Sequence, residues 1–562
     1  MFYIPEYIQS VIALSAEKAG VLVRSEDVHV EVPADMTHGD YASNIALVSA
    51  KETGKNPREL AENIVKYIIE ADSEGMVSGV SVAGPGFINV TLAKSVILSR
   101  LIHAMEEKYG YADKKTGETV VMEYTDPNPF KPFHIGHLMT NVIGESLARL
   151  LEAEGNSVVR MNYQGDVGLH VAKALYGMKE LNVSPDDVLA IGKAYVYGNE
   201  KYEEGGEAKR AIDALNTHIY ERDDEELNTL YDAGRKTTLE HFEELYQKLG
   251  TAFDTYVFES ETWKKGRDAV LEHVGKVFEE SEGAVVYRGE EDGLHTRVFI
   301  GGKGLPTYEA KDIGLAITKL EAFPDAKTFY TITAEEQKEY FKVVLAALAK
   351  MKPETVGRFE HISHGMMRLS EGKMSSRKGN VVTGESLLSE VTERAAEKLK
   401  ENGVDDDGSI ANMVAVAALK YGVLRGETGK NIVYDAEKWL SFEGASGPYV
   451  QYTAVRARSV AEKAKEAGIV VDITKEGDDI GELERLIARF PEDVREAARA
   501  RMPHKIVTAI TDIAQAFNAY YAQTPIVSEM EEAPYRVALA KAVASTLESG
   551  LSLLGISVPE KM

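Results

Sequence analysis

The clearest pattern of apolar and polar positions lies between residues 119 and 151. An apolar run that ends in a carboxylate, Glu123, predicts a buried strand. Two prolines, Pro127 and Pro129, then disfavour both helix and strand pairing. From 138 to about 151 the apolar residues recur at helical spacing. A strand, a turn and a helix in this order predict the first unit of a nucleotide-binding α/β fold.

The turn before this helix carries two histidines three residues apart, His134 and His137, with Gly136 between them. A helix N-terminus offers unpaired N–H groups to phosphate, and a glycine lets a nucleotide lie close to the backbone. Both histidines can donate hydrogen bonds to oxygens whose charge grows in a phosphoryl transition state. The alternative is two surface histidines near a helix start, but the strand, prolines and helix favour a phosphate site.

Residues 1–112 are predicted to form a separate N-terminal α+β domain. Helical spacing at 9–19 and 42–53 predicts two helices, and alternation at 28–32 and 87–92 predicts two strands.

A polar turn around Gly39 and Asp40 precedes the second of these helices. We interpret Asp40 as the cap of that helix. The alternative is a polar surface patch that contacts a partner.

Residues 113–380 are predicted to form a Rossmann-type domain with a parallel sheet. Its charged helical stretch at about 176–250 is interpreted as an insertion between two halves of the sheet. Further strands are predicted at 158–163, 253–256, 285–287, 297–300 and 328–332, and a helix at 335–351.

Near the end of this domain a loop holds three cations and two hydroxyl groups between glycines. Such a loop can close over a polyphosphate and open again. An exposed basic loop without a ligand is the alternative. Its polar residues are Lys373, Ser375, Ser376, Arg377 and Lys378.

The remainder of the chain is predicted to be helical, with a connecting region at 381–444 and a bundle at 445–562. Four amphipathic stretches in the last part indicate the bundle. Aromatic and basic residues mingle along them, and stacking combined with positive charge is how single-stranded RNA bases are held. Core aromatics and solvated arginines are the alternative for most of these positions.

Composition adds limits to this picture. The 562 residues, 44% hydrophobic, suffice for several domains with buried cores. No apolar run reaches the length of a membrane span, no secretion signal is recognised, and the absence of cysteine excludes thiolate zinc sites. We therefore expect a cytoplasmic protein without a membrane partner. The net charge of −26 is unusual for a nucleic-acid binder, so any RNA contact must use local basic surface.

The sequence resembles the class I aminoacyl-tRNA synthetases. Their two signatures are matched by His134 to His137 and by Lys373 to Ser376, in the same order and with an α/β region between them. Further short sequence motifs resemble the arginyl-tRNA synthetase family, and the resemblance covers essentially the whole chain. These motifs lie at 39–42, 123–132, 162–168, 308–312 and 449–456. One departure is Ser376, where the class signature has a lysine, and Arg377 and Lys378 follow instead.

The resemblance implies a role for each matching residue. His134, His137 and Lys373 are expected to be catalytic, and three further groups of residues are expected to bind ATP, arginine and tRNA. The ATP group is Gly136, His134, His137, Met367, Lys373, Met374 and Ser375; the arginine group is Glu123, Asn128, Tyr308, Asp312 and Gln337; the tRNA group is Asp40, Tyr41, Asn44, Tyr449, Gln451, Tyr452 and Arg456.

Elementary chemistry agrees with an arginine substrate, because a guanidinium presents a rigid fork of donors that favours carboxylates. Glu123 ends a core strand and Asp312 opens a helix, so both can project into one crevice. A structural ion pair is the alternative for either residue alone.

The resemblance further implies the reaction and the partners. A ligase of this family joins L-arginine to tRNA(Arg) with ATP and Mg²⁺ and releases AMP and pyrophosphate. The N-terminal domain would contact the tRNA elbow, the bundle would read the anticodon, and activation would need bound tRNA. We expect a monomer with no protein-bound metal cluster.

Three alternatives remain open: a small nucleotidyltransferase with a similar histidine turn, a synthetase for another amino acid, and a tRNA-binding relative without activity.

Overall fold

The computed structural model describes residues 3–33, 35–369, 383–406, 408–474 and 480–562. Lys373, Met374 and Ser375 therefore lie outside the described residues, as does the departure at Ser376. None of the described helices combines the length and the apolar character needed to cross a membrane.

The N-terminal region is an antiparallel four-stranded sheet, in the order β1-β2-β4-β3, with four helices. The predicted strand at 87–92 is confirmed, whereas the predicted helix at 42–53 is preceded by a strand that takes its first two residues. The elements are α1 (Ile4–Lys18), β1 (Val30–Glu31), β2 (Tyr41–Ser43), α2 (Ile45–Thr53), α3 (Pro57–Ala71), β3 (Val77–Ala83), β4 (Phe87–Leu92) and α4 (Lys94–Ala104).

The interpretation of Asp40 as a helix cap is wrong. Asn44 occupies the N-cap position of α2 and makes no side-chain cap hydrogen bond. Asp40 instead accepts a hydrogen bond from the backbone N–H of Leu92 at 2.7 Å and pairs with Arg485. Its carboxylate therefore holds the sheet to the C-terminal helices.

The central region is built on a five-stranded parallel sheet in the order β12-β11-β5-β6-β7. Apolar residues of its strands pack on both faces, Val120 in one core and Val121 in another, because helices cover both sides of the sheet. They are β5 (Thr119–Glu123), β6 (Ser157–Gln164), β7 (Thr255–Phe258), β11 (Thr328–Ala334) and β12 (Phe359–His364); the helices are α5 (Ile135–Ala153), α10 (Glu259–Glu272), α11 (Tyr308–Ala322) and α12 (Lys338–Met351).

Strand β5 lies where the strand order reverses, with β6 on one side and β11 on the other. In open parallel sheets, ligands bind in the crevice beyond the carboxyl ends of the strands at such a point. Glu123 is the last residue of β5, so the fold delivers this carboxylate to the crevice.

Two inserted units interrupt this sheet. Four helices separate β6 from β7 and enclose a core of their own: α6 (Leu169–Glu180), α7 (Val188–Glu204), α8 (Gly206–Glu221) and α9 (Glu225–Leu249). The predicted strands at 285–287 and 297–300 exist, but they belong to a separate antiparallel sheet formed by β8 (Glu279–Ser281), β9 (Ala284–Tyr287) and β10 (Arg297–Ile300).

The described residues after 382 are mostly helical, as predicted. One short strand there pairs in parallel with a strand that precedes the second signature. The elements of this region are β13 (Met367–Leu369), α13 (Gly384–Glu401), α14 (Ser409–Leu424), β14 (Ile432–Tyr434), α15 (Ala436–Trp439), α16 (Gly447–Glu466), α17 (Glu482–Ala500), α18 (His504–Gln523) and α19 (Ala533–Leu553).

Helix α5 joins the parallel sheet to the helical bundle through one continuous hydrophobic core. The carbonyl end of α19 accepts three hydrogen bonds from other parts of the chain. Ser146 and Arg149 of α5 donate to the carbonyl groups of Leu553 and Ser552, at 3.1 and 3.0 Å. Lys420 donates to the carbonyl of Gly555 at 2.7 Å. Cations favour this end of a helix because of its partial negative charge.

Candidate active site

The turn after β5 holds an unusual backbone. Thr125, Asp126 and Phe130 have φ values of +82°, +48° and +69°, a region that non-glycine residues rarely adopt. Neighbouring groups hold the conformation: Asn141 donates to the Thr125 hydroxyl at 3.0 Å, and the backbone N–H of Tyr163 donates to Asp126 at 2.8 Å. Strain of this kind persists where the surrounding structure fixes it, often at functional sites.

The two histidines cap the helix that follows this turn. His134 is the N-cap of α5, and its Nδ1 accepts the backbone N–H of His137 at 3.3 Å. The reciprocal bond, from the His134 backbone N–H to Nδ1 of His137, is also 3.3 Å. The rings stack with centroids 3.4 Å apart, and a Cβ atom at Gly136 would lie 2.9 Å from His134 Cε1. Gly136 is therefore required for the close packing of the pair.

Both imidazoles are neutral at physiological pH. Burial lowers the pKa of His137 well below its usual range, and His134 and Lys131 lower it further. Desolvation, followed by the charge of Lys131, also lowers the pKa of His134. Because each Nδ1 accepts a backbone hydrogen bond, the hydrogen-bond network assigns the proton to Nε2. Each ring can thus donate one hydrogen bond from Nε2 to a phosphate oxygen.

The flanks of the second signature lie beside the histidines. Thr383, just after it, forms a β-bridge with His134, and the backbone N–H of Gly384 donates to the carbonyl of Phe133 at 2.8 Å. On the other flank, half-buried Met367 belongs to β13, which contacts α5. The described flanks of the second signature thus both contact the helix, or its cap, that carries the predicted phosphate site.

The two carboxylates predicted to bind arginine line one cavity. Glu123 comes from β5 and is 4% exposed, whereas Asp312 is in the first turns of α11. Lys319 of α11 pairs with Glu123 Oε2, and the Thr331 hydroxyl donates to the same oxygen at 3.2 Å. The structure therefore brings Glu123 and Asp312 together, and it adds a lysine that was not predicted.

Near neutral pH the carboxyl group of Asp312 favours its protonated form. Burial raises the pKa of its carboxyl group to about 8, although the Tyr340 hydroxyl, which donates to Asp312 at 2.6 Å, lowers it. The charges of Glu123 and Glu259 raise it, and that of Lys319 lowers it. A cationic ligand placed beside this carboxyl group would favour its charged form.

The other predicted arginine-binding residues lie at the same edge of the sheet. The Asn128 side chain packs over Gly165, where a Cβ atom would lie 2.2 Å from Asn128 Oδ1. Tyr308 begins α11 and is 56% exposed. Gln337 is exposed in the short turn between β11 and α12. Their predicted contacts with arginine stay predictions.

Sequence reasoning missed the ionic contacts behind these residues. Lys311 and Glu259 form a buried ion pair at 2.6 Å. Asp166 is fully buried and accepts hydrogen bonds from the backbone N–H of Ser260 at 2.8 Å and from Arg235 at 2.9 Å. One signal for Lys319 was available, because a lysine seven residues after Asp312 lies on the same helix face.

The three N-terminal residues predicted to bind tRNA carry internal contacts. Tyr41 is 4% exposed and pairs with Val90 in the sheet. Asp40 pairs with Arg485, and Asn44 is half-buried. Their contact with RNA remains a prediction.

The C-terminal residues predicted to bind tRNA divide into two groups. Gln451 is fully buried and donates to the carbonyl of Ser557 at 2.6 Å. Two of the other three contact Asn518, which donates to the Tyr449 hydroxyl at 3.0 Å and accepts from Arg456 at 2.6 Å. The Arg456 guanidinium lies 4.6 Å from the ring centroid of Tyr452. This second group forms the mixture of aromatic and basic residues that the sequence predicted.

Two further observations concern other places where a ligand or a metal ion could bind. A cavity of about 910 Å³ lies at the opposite edge of the sheet, where β5 and β11 begin, and none of the predicted site residues lines it. Within the described ranges, no cluster of three or more His, Cys, Asp or Glu residues could hold a metal ion.

A five-stranded parallel sheet, a histidine pair capping the helix after its first strand, and a helical bundle beyond define a class I aminoacyl-tRNA synthetase. Three family models match the chain: "tRNA synthetases class I (R), catalytic domain" at 99–436, "Arginyl tRNA synthetase N terminal domain" at 6–92 and "DALR anticodon binding domain" at 450–562. The chain belongs to the arginyl-tRNA synthetase family.

Similar proteins agree with this membership. An arginine–tRNA ligase of Bacteroides fragilis is 31% identical, over 95% of this chain and 96% of the relative. One from Limosilactobacillus reuteri is 32% identical, over 96% of this chain and 97% of the relative. The solved arginyl-tRNA synthetase of Thermus thermophilus, 26% identical, matches with a TM-score of 0.80 over the whole of both chains. The family resemblance and the predicted fold class are confirmed.

Proposed function

We propose that this chain is an arginine–tRNA ligase that activates L-arginine with ATP and transfers it to the 3′ end of tRNA(Arg). Family membership implies the use of ATP, and the anticodon-binding domain implies binding of tRNA. The observation that carries the choice of amino acid is that Glu123 and Asp312 converge on one small cavity, of about 30 Å³. Two carboxyl groups suit the forked donors of a guanidinium.

The first step needs positioning and charge stabilisation rather than a covalent protein intermediate. An oxygen of the arginine carboxylate attacks the α-phosphorus of ATP, the bond to the β-phosphate oxygen breaks, and pyrophosphate leaves. His134 and His137 donate from Nε2 to the α-phosphate oxygens as charge develops there. The N-terminus of α5 contributes its dipole to the same region.

The remaining substrate groups are assigned to the residues at the carboxyl edge of the sheet. Asn128, Tyr308 and Gln337 hold the amino acid, and Gly136 and Met367 border the nucleotide. Lys373 contacts the β- and γ-phosphates, and Met374 and Ser375 take part in binding ATP. Mg²⁺ is assigned to the phosphates of ATP, because the described residues offer no cluster of metal ligands and Mg²⁺ is commonly bound through substrate phosphates.

In the second step a hydroxyl group of the terminal adenosine of tRNA attacks the arginyl carbonyl carbon, and AMP leaves. Tyr449, Tyr452 and Arg456 contact anticodon nucleotides by stacking and positive charge. Asp40, Tyr41 and Asn44 belong to the domain proposed to contact the tRNA elbow, and Gln451 supports the bundle from within. The protein is proposed to act as a cytoplasmic monomer.

Pyrophosphate exchange measured with each of several amino acids, with and without tRNA(Arg), tests this function. We expect exchange with arginine only, and we expect charging of tRNA(Arg) with the same amino acid. Exchange with another amino acid would contradict the assignment of the cavity. Binding of tRNA without any exchange would indicate a relative that has lost activity. The small-nucleotidyltransferase alternative predicts that exchange depends neither on the amino acid nor on tRNA.

A further inference from the structure

Lys319 is a buried cation in the amino-acid cavity, and none of the roles assigned above uses it. Its side chain is 2% exposed, and it lies two helical turns after Asp312 on α11. Of the described residues that line the cavity, Lys319 is the only lysine or arginine. Full burial of a lysine is rare unless its charge is paired.

The contacts of Lys319 orient Glu123. Among the hydrogen bonds of the described residues, both that reach the Glu123 carboxylate end on Oε2: one from Lys319 Nζ and one from the Thr331 hydroxyl at 3.2 Å. Lys319 also donates to the Thr331 hydroxyl at 3.4 Å. The three groups form a closed triangle that fixes the carboxylate by one oxygen. The other oxygen, Oε1, is left for a ligand.

The other charged groups that line the cavity are carboxyl groups. Of their neighbours, Arg501 pairs with Glu360 at 2.7 Å, and Glu259 of α10, whose charge acts on Asp312, pairs with Lys311. Asp312 of α11 and Glu360 of β12 line it with Glu123, and Asp126 lies in the turn after β5. The titratable neighbours on the other packed elements are Tyr163 of β6, Tyr340 of α12 and His361 of β12; burial lowers the pKa of His361 to about 4, so it is neutral at pH 7.

We propose that Lys319 is a positioning residue of the arginine pocket, which clamps the inner oxygen of Glu123 and offsets one of the two negative charges that face the substrate. This inference rests on the proposed function. When bound arginine holds Asp312 in its charged form, Glu123, Asp312 and Lys319 together carry one net negative charge, which matches one guanidinium. Without Lys319, the carboxyl groups share a poorly hydrated site, and such groups do not all ionise together.

The electrostatics of the neighbours support this role. Burial raises the pKa of Asp126 well above its usual range and the charge of Glu123 raises it further, whereas Lys319 lowers it. Lys319 acts in the same direction on Asp312. Removal of Lys319 therefore moves the ionisation of Asp312 to higher pH and leaves the carboxylate of Glu123 without its clamp.

The test is a comparison of Lys319→Met with wild type, using the KM for arginine and kcat in pyrophosphate exchange between pH 6.5 and 9. We expect the KM for arginine at pH 7 to rise about tenfold for each unit by which the pKa of Asp312 increases, and the defect to shrink as the pH rises. We expect kcat at saturating arginine to change much less. Lys265→Met is the matched control, because Lys265 of α10 pairs at the surface with Glu321 of α11, the helix that carries Lys319.

The same substitution made in the Glu123→Gln variant separates the proposed positioning role from a purely structural role of the ion pair. In Glu123→Gln, Lys319 leaves the pocket without net charge, so adding Lys319→Met restores one negative charge. We expect the double variant to bind arginine as well as Glu123→Gln or better, although Lys319→Met is harmful alone. If Lys319→Met alone does not fold, the comparison of Glu123→Gln with the double variant still decides, because the double variant removes both members of the buried Lys319–Glu123 pair and leaves neither charge without its partner.

Two results would overturn the inference. One is an arginine KM for Lys319→Met within twofold of wild type with an unchanged pH profile. The other is an equal rise in KM when Lys319→Met is added to either background, because Lys319 would then act independently of Glu123. A wild-type protein that fails to activate arginine would refute the proposed function instead, so the two failures are distinguishable.

Discussion

Arginine binding should release a proton from Asp312 at neutral pH. Burial raises the pKa of this carboxyl group to about 8 in the free protein, so about one molecule in ten carries the charge at pH 7 and about half do at pH 8. A guanidinium favours the charged form. The apparent dissociation constant for arginine should therefore fall about tenfold per unit between pH 6 and 7, and it should level off above pH 8.

The variant Tyr340→Phe tests the cause of this dependence. The Tyr340 hydroxyl donates to Asp312 Oδ2 at 2.6 Å and thereby stabilises the charged carboxylate. A hydrogen bond to a charged group contributes about 1.5–3 kcal/mol, which equals about one to two pKa units. The transition should move to roughly pH 9–10, and arginine binding at pH 8 should weaken about 5- to 50-fold.

Calorimetric titration with arginine, in the presence of saturating tRNA and at a series of pH values, measures the apparent dissociation constant for arginine and the number of protons released. Buffers that differ in ionisation enthalpy report the number of protons released, which should approach one near pH 7. Tyr256→Phe is the control, because Tyr256 donates to Glu243 at 2.5 Å outside the cavity. The reasoning is refuted if arginine affinity is constant from pH 6 to 8.5, or if Tyr340→Phe leaves the transition in place.

Three further predictions concern other parts of the chain. His137→Ala removes a proposed donor to the α-phosphate, so kcat in pyrophosphate exchange should fall about 10²-fold or more while the KM for arginine stays similar; the reverse pattern would exclude that role. Arg456→Ala should raise the KM for tRNA in aminoacylation about tenfold through loss of the cation beside Tyr452, with little effect on kcat, and an unchanged KM for tRNA would contradict the anticodon contact. Burial lowers the pKa of Lys420 to about 7, so the unfolded chain binds a proton that the native chain lacks between pH 7 and 10. The free energy of unfolding in urea should then rise with pH by up to about 1.4 kcal/mol per unit more in wild type than in Lys420→Met, and a constant difference would refute this linkage.

Periodicity predicted the elements whose burial is regular. Helix α5 was expected from residue 138 and begins at Ile135, because the histidine cap precedes the apolar pattern. Strand β10 and strand β4 have the predicted bounds. In the bundle, apolar spacing predicts helices at 483–501 and 503–521, and α17 and α18 lie within two residues of these bounds, since their apolar stripes face one core.

Features that depend on distant partners could not be predicted. Asp40 has the residue type and position of a helix cap, but its partner is Arg485, more than 400 residues later. The apolar runs of β9 and β10 predict strands, and only their hydrogen bonds show that they form a separate sheet with β8. Lys319 shares a helix face with Asp312, but its role depends on its ion pair with Glu123, which comes from strand β5.

The mutual capping of His134 and His137 has a thermodynamic consequence for nucleotide binding. Their rings are stacked and bonded to each other's backbone before any ligand arrives, so their rotamer freedom is lost during folding rather than on association. Immobilising a side chain on binding typically costs about 0.5–1.5 kcal/mol, and this pair avoids that penalty. The entropy change of ATP association should thus reflect the segments around the histidines more than the histidines themselves.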